Sequence, residues 1–145
     1  MMRKLTPALM IVAMVATPGF ALAAASVTSM TNTLSATPAA FRGKCPAVIT
    51  FNGTITVDGQ FGAAAPTPVQ IGYQFLRSDN ATGPIAYYTI TAPGTYAVST
   101  TWTLGGATLP RYTGWEQLKA WPTRHDGGFG YAFSPKADFK VVCAR

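Results

Sequence analysis

Four segments of this chain alternate apolar and polar residues with a period of two, the spacing of side chains along a half-buried β-strand. In residues 47–57, Ile49, Phe51 and Ile55 share one side and threonines share the other. The same alternation covers residues 69–77, 95–104 and 137–143. Their β-branched and aromatic content favours strands, so we predict that these segments form the body of the fold.

Three further segments predict strands less clearly. Residues 84–91 are rich in aromatic residues but alternate poorly. In residues 115–121, Trp115, Leu118 and Trp121 are spaced by three, which also suits a helical turn or a bulge. Residues 27–34 suit a first strand, although their Ser, Thr and Ala content equally suits a disordered leader.

The connections between these segments predict hairpins. Residues 78–83 are dense in turn formers, and Pro93-Gly94 suits a type II turn with positive φ at the glycine. Residues 69–104 are therefore predicted to form a three-stranded antiparallel meander. Since no segment shows a long helical period, we predict an all-β fold, an antiparallel immunoglobulin-like sandwich of about seven strands. A small barrel is the alternative.

The first 23 residues have the pattern of a bacterial secretory signal peptide. Arg3 and Lys4 precede an apolar run, and Ala21-Leu22-Ala23 fits the small-residue cleavage rule. We predict cleavage after Ala23, with Ala25 as the alternative site. A membrane anchor is disfavoured because Pro18-Gly19 interrupts an apolar run that is short for a span. Export would leave a leader or first strand over residues 24–40 and a domain over residues 41–145, in the periplasm or outside the cell.

The sequence contains two cysteines, Cys45 and Cys143, which bracket most of the predicted domain. Two cysteines in an exported chain most simply form one disulfide. Side chains an even number of residues apart lie on the same side of a strand. Cys45 is four residues from Ile49, and Cys143 is four residues from Phe139, so both thiols are expected on the core side of their strands. Two thiols and the single histidine, His125, do not make a four-ligand metal site.

Several short motifs occur in an order that resembles a group of small exported bacterial immunoglobulin-like domains of unknown function. They are Cys45-Pro46 followed by residues 49–56, then residues 73–79, 98–102, Gly114-Trp115 with Leu118, and 139–143. The resemblance covers most of residues 40–143 and implies a seven-stranded sandwich with one disulfide, but no particular chemistry. The chain departs from the pattern in two inserted loops, residues 58–67 and 122–135, where an individual function is most expected.

The residues of acid–base chemistry form no recognisable catalytic pattern. His125 and Asp126 are neighbours in sequence, but adjacency is not the geometry of a catalytic pair. Glu116 is the single glutamate among five acidic residues, whereas a glycosidase needs two facing carboxyl groups. We therefore predict a non-enzymatic protein with no cofactor and no metal. The basic residues are scattered, which disfavours nucleic acid as a partner. The net charge of +6, which includes Arg3 and Lys4, is interpreted as an aid to solubility rather than as attraction to anionic polymers.

Residues 122–135 combine aromatic and basic side chains with glycines, a composition typical of recognition loops. The candidate ligand-binding residues are Trp121, Arg124, His125, Phe129 and Tyr131. The alternative is that these aromatic side chains fold back onto the sandwich, and Trp102 and Trp115 are expected in the core. The leading hypothesis is a binding or scaffolding module of the bacterial envelope whose partner is a glycan or a protein. A structural subunit of a surface fibre, assembled by strand exchange, is the second hypothesis, and a small hydrolase is the third.

Overall fold

The computed structural model describes residues 25–62, 67–124 and 129–144, and over these residues the chain is all-β. The predicted signal peptide lies outside the described residues. The strands are β1 (Ser26–Thr37), β2 (Ala40–Gly43), β3 (Ala47–Gln60), β4 (Val69–Arg77), β5 (Ala86–Ile90), β6 (Gly94–Leu104), β7 (Arg111–Pro122), β8 (Ala132–Phe133) and β9 (Ala137–Cys143). Within these residues no helix is long and apolar enough to cross a membrane.

The strands form two sheets that pack face to face. The three-stranded sheet has the order β1-β3-β6, and the six-stranded sheet has the order β2-β9-β7-β4-β5, with the short β8 beside β7. All pairs are antiparallel except β2 with β9. The first, second and fifth strands of an immunoglobulin domain likewise oppose the third, sixth and seventh. The predicted immunoglobulin-like sandwich is confirmed, with the short β2 and β8 added.

The alternating segments form strands with nearly the predicted limits. Residues 69–77 and 137–143 match β4 and β9, while β3 continues beyond residue 57 to Gln60. Residues 27–34 belong to the long strand β1 rather than to a disordered leader. Residues 115–121 lie within β7, and its alternation buries Leu118 while Trp115 is only half-buried, outside both core clusters. The expectation that Trp115 lies in the core is therefore wrong.

The predicted meander is also wrong. β4 pairs with β5, but β6 crosses to the other sheet and pairs with β3 from Ala47↔Leu104 to Val57↔Gly94. Alternation shows that one face of a strand is buried, but a strand with one buried face can join either of the two sheets. Gly94 is the first residue of β6, and the described glycines with positive φ are Gly62, Gly105 and Gly106, so the predicted type II turn is absent here.

The core consists of two neighbouring clusters between the sheets. One contains Ile55, Ile71 and Leu118, and the other contains Ile49, Phe51, Trp102, Phe139 and Val141. The Phe51 and Phe139 rings meet edge to face, with centroids 5.5 Å apart, which is a favoured aromatic geometry. The apolar positions that alternation identified in β3, β4, β6 and β9 therefore supply both clusters.

The predicted disulfide joins Cys45 to Cys143, across a sequence separation of 98. Cys45 lies in the connection before β3 rather than within a strand, and both cysteines are half-buried against the second core cluster. Gly105 closes over the bond: with φ at +92°, an added Cβ would lie 2.7 Å from Cys45 Sγ. A formed disulfide indicates a non-reducing environment.

Replacing both cysteines with alanine should lower the free energy of unfolding by about 2–4 kcal/mol, because the unfolded chain loses its longest covalent constraint. Urea unfolding of the oxidised wild type and of the double variant, followed by tryptophan fluorescence, measures this difference. Wild-type protein in reductant should lose the same amount, while reductant should leave the double variant unchanged. A loss below about 1 kcal/mol would contradict the stabilisation expected of this cross-link.

Candidate functional site

The first candidate site is the outer face of β7. Leu118 and Ala120 point into the core and are fully buried. Because side chains alternate along a strand, Trp115, Lys119 and Trp121 point outward from the six-stranded sheet. Two tryptophans and a lysine thus share one exposed side of one strand.

Aromatic side chains lie on both sides of Trp121 across the sheet. Tyr87 of β5, Gly72 of β4 and Trp121 of β7 are in register across the sheet. On the far side of β7, the Trp121 and Tyr131 rings lie 5.9 Å apart and the Tyr131 and Phe133 rings 6.5 Å apart. We call Tyr87, Trp121, Tyr131 and Phe133 the aromatic row. Tyr87, Tyr131 and Phe133 are each at least half exposed.

Gly72 determines how the Trp121 indole lies. A Cβ added at Gly72 would be 2.6 Å from Cε2 and 2.8 Å from Cζ2 of Trp121. The indole therefore lies flat over the backbone of β4. Gly72 leaves room for it because it has no side chain. Any larger residue at position 72 would push the ring away from the sheet.

Lys119 places a positive charge within the aromatic row. Its Nζ lies 3.9 Å from the centroid of the Tyr131 ring and 5.5 Å from that of the Trp121 ring. An ammonium held over an aromatic face is attracted by the ring quadrupole. The arrangement combines apolar ring surface with a cationic hydrogen-bond donor.

Hydrogen bonds hold the segment that carries Tyr131 and Phe133. The Asn32 side chain donates to the Ala132 carbonyl at 2.9 Å, which ties this segment to β1 in the other sheet. The Ser134 hydroxyl accepts from the Leu118 amide at 3.0 Å, and Gln117 Nε2 donates to the Ser134 carbonyl at 2.7 Å. The exposed rings are therefore presented by an anchored backbone, which lowers the entropic cost of binding.

The structure brings together some of the predicted site residues and separates others. Trp121 and Tyr131 are in contact, and Arg124 is exposed just beyond the end of β7. Phe129 packs against the first core cluster, as the fold-back alternative expected. His125, with its neighbour Asp126, lies outside the described residues.

Lys119, Phe133 and Tyr87 were missed as site residues. Strict alternation across residues 115–121 would have placed Lys119 beside Trp121. Phe133 lies within the predicted recognition loop, residues 122–135, but its place beside Lys119 depends on the pairing of β8 with β7. Tyr87 reaches the aromatic row only because β5 pairs with β4, and nothing local in the sequence predicts that register.

Glu116 has the most perturbed environment among the titratable side chains with a resolved shift. It is 2% exposed and faces the interior, and its Oε2 has no hydrogen-bond partner. Burial raises the pKa of Glu116 to about 7; the nearby Arg77 opposes this shift and Asp79 adds to it. The Arg77 guanidinium itself pairs with Asp79 at 2.6 Å and lies 3.7 Å over the Trp102 ring. Since the carboxyl is enclosed between the sheets, its pKa bears on stability rather than on contact with a polymer.

A cavity beside the disulfide offers less for recognition. This cavity of ≈ 320 Å³ is lined by Lys44, Cys45, Gly106, Ala107, Cys143 and Ala144. Small side chains and one lysine provide few groups that could orient a ligand. Within the described segments, no three His, Cys, Asp or Glu side chains gather where they could hold a metal ion.

No protein-family model, curated protein or solved structure matches this chain. The resemblance to small exported immunoglobulin-like domains therefore stays a prediction. A sandwich of this kind hosts many functions, so the function is argued from the site itself.

The Glu116→Gln variant should remove a specific pH dependence of stability. The unfolded carboxyl has a pKa near 4.5 and the folded one near 7, so the native state is favoured most below pH 4.5 and loses stability as pH rises to about 7. This group should cost the wild type roughly 2–3 kcal/mol between pH 4.5 and 8.

Urea unfolding at pH 4.5, 6 and 8 measures this effect. The isosteric Gln variant should lack that loss, while Asp138→Asn, which changes an exposed carboxyl on the paired strand, should retain it. Equal pH dependence in the wild type and the Glu116→Gln variant would contradict the raised pKa.

Proposed function

We propose that this chain is an exported, non-enzymatic binding module that holds a glycan on its aromatic row. The observation that carries the proposal is the exposure of Tyr131 and Phe133, at 57% and 50%, beside the outward-facing Trp121. Large aromatic side chains left in solvent and anchored from below are typical of a recognition surface. The apolar faces of sugar rings are complementary to such a surface.

Three features support export to the periplasm or the outside of the cell. The first residues have the signal-peptide pattern, cleavage after Ala23 would leave β1 intact, and the two cysteines form a disulfide. Disulfides persist in oxidising compartments. These same compartments contain the polymeric glycans that the aromatic row would meet.

The shape of the site favours a glycan over a globular protein. The aromatic row lies across the open face of a sheet, and its members come from β5, β7 and β8 and from the residue before β8. The sugar rings of an extended chain can stack on the exposed side chains of such a surface. Glu116 points to the inner side of β7 and is closed off from solvent, so it does not act on a ligand bound to the outer face.

Assembly with a second copy is the other candidate function, because β6 lies at the edge of its sheet. It is 11 residues long. Proteins commonly use charged residues or proline to protect edge strands from pairing, and β6 contains neither. The hydroxyl of Tyr88 donates to the Ala97 carbonyl and so covers the middle of this edge. The disulfide also holds the chain's own last strand in place, which disfavours donor-strand exchange.

Trp121→Ala and Tyr131→Ala should each weaken glycan binding about tenfold, the loss expected at the centre of an aromatic site. Gly72→Ala should weaken binding too, although it removes no aromatic group, because its Cβ displaces the indole. A glycan array identifies the ligands, and isothermal titration calorimetry measures the affinities.

The matched control is Val48→Ala with Leu109→Ala, which truncates two exposed apolar side chains away from the aromatic row. This control should bind like the wild type. Full binding by Trp121→Ala would refute the site, and a concentration-dependent dimer with no glycan binding would favour assembly through β6.

A further inference from the structure

The positive charge of the folded chain is concentrated on one of its two sheets. The strands of the three-stranded sheet contain no lysine or arginine, and Asp58 is their single charged residue. All the lysines and arginines in the described residues lie on the six-stranded sheet or its adjoining connections: Arg42, Lys44, Arg77, Arg111, Lys119, Arg124, Lys136 and Lys140. The aromatic row lies on this basic side.

A second aromatic platform lies on the same side of β7. Trp115 faces outward six positions before Trp121, and Nζ of Lys136 lies 4.0 Å from the centroid of its ring. At about 3.3 Å per residue, the two tryptophans are about 20 Å apart along the strand. The pairing of an aromatic ring with a lysine ammonium therefore occurs twice along one line, at Trp115 with Lys136 and at Tyr131 with Lys119.

The positions of Lys119 and Lys136 over the rings bear on the charge of a ligand that would fit this face. A neutral sugar that stacks on the Trp115 or Tyr131 ring must displace the ammonium that covers it and so loses the cation–π attraction. A carboxylate or sulfate can instead bind that ammonium through its free N–H donors in a charge-assisted hydrogen bond. The geometry thus favours a ligand whose anionic groups reach the lysines while its ring surface reaches the aromatic side chains.

The charges around the second platform remain positive overall. Asp138 pairs in register with Trp115 and is exposed, so it lies next to the platform. Lys140 and Arg111 lie on the same outer face, and both are exposed. The Asp138 carboxylate restricts where an anionic substituent can bind. It does not reverse the attraction, because Lys136, Lys140 and Arg111 outnumber it.

We propose that the ligand is an anionic polysaccharide that lies along β7 from Trp121 to Trp115, with its carboxylate or sulfate groups on Lys119 and Lys136. This inference rests on the proposed function of the aromatic row, and adds to it the ligand charge, a second subsite and a minimum ligand length. Oligosaccharides shorter than about 20 Å reach one platform, and longer chains reach both.

The test compares matched pairs of polymers that differ in charge: polygalacturonate with its methyl-esterified form, and dextran sulfate with dextran. Binding of the full oxidised protein to each polymer is measured by calorimetry at low and physiological salt. At least one anionic polymer should bind at least tenfold more tightly than its neutral partner. Lys136→Gln and Trp115→Ala should each weaken binding to that polymer about tenfold, but leave binding to its short oligosaccharides unchanged.

Lys44→Gln is the matched control, since it removes the same charge from an exposed position outside the sheet. It should change the affinity less than about twofold. Equal losses in the Lys44→Gln and Lys136→Gln variants would show diffuse attraction only and would overturn the inference. Equal binding of neutral and anionic polymers that still depends on Trp121 would overturn it too, while the proposed function stands. No binding of any polymer would refute both.

Discussion

The structure depends on the hydrogen bonding of β7, which pairs with more strands than any other in the described chain. One edge pairs with β4 over its second half, and the other pairs first with β9 and then with β8. Its inward side chains, Leu118 and Ala120, are fully buried in the core, so its register is strongly specified. Every element of the aromatic row is positioned through β7, directly or through one neighbouring strand.

The two outer faces of the sandwich are chemically different because their strands differ in composition. On the three-stranded sheet, Thr31, Thr56 and Thr95 form one row in register, and Thr33 with Thr54 begins the next. Hydroxyl–hydroxyl bonds of 2.7 and 3.0 Å link neighbouring threonines. This face is polar and its strands contain one charged residue, Asp58, whereas the other face carries the rings and the cations. A ligand that needs stacking and charge therefore has one face to bind.

The fold was more predictable than the site. Alternation predicted the strands because burial of one face imposes a period of two, and it identified Ile49, Phe51 and Ile71 as core. Residues 115–121 show where this signal fails, because the sequence did not distinguish a strand from a helical turn or a bulge there. Trp115 and Trp121 are large apolar residues on the outer face of β7, where simple alternation predicts polar ones. Functional surfaces produce such conflicts because their apolar residues are kept for a ligand instead of the core.

By itself, the sequence determined the four alternating strands β3, β4, β6 and β9, the buried side of each of these four, and the pairing of Cys45 with Cys143, because all of these follow from local periodicity or from a count of two cysteines. Only the tertiary structure decided which sheet receives β6, how Gly72 and Tyr87 come into line with Trp121, and that Phe129 turns inward while Tyr131 stays exposed. These outcomes depend on strand register and sheet pairing, which arise from contacts between residues far apart in the chain. A period-two pattern is the same for any partner strand, so it cannot encode that choice.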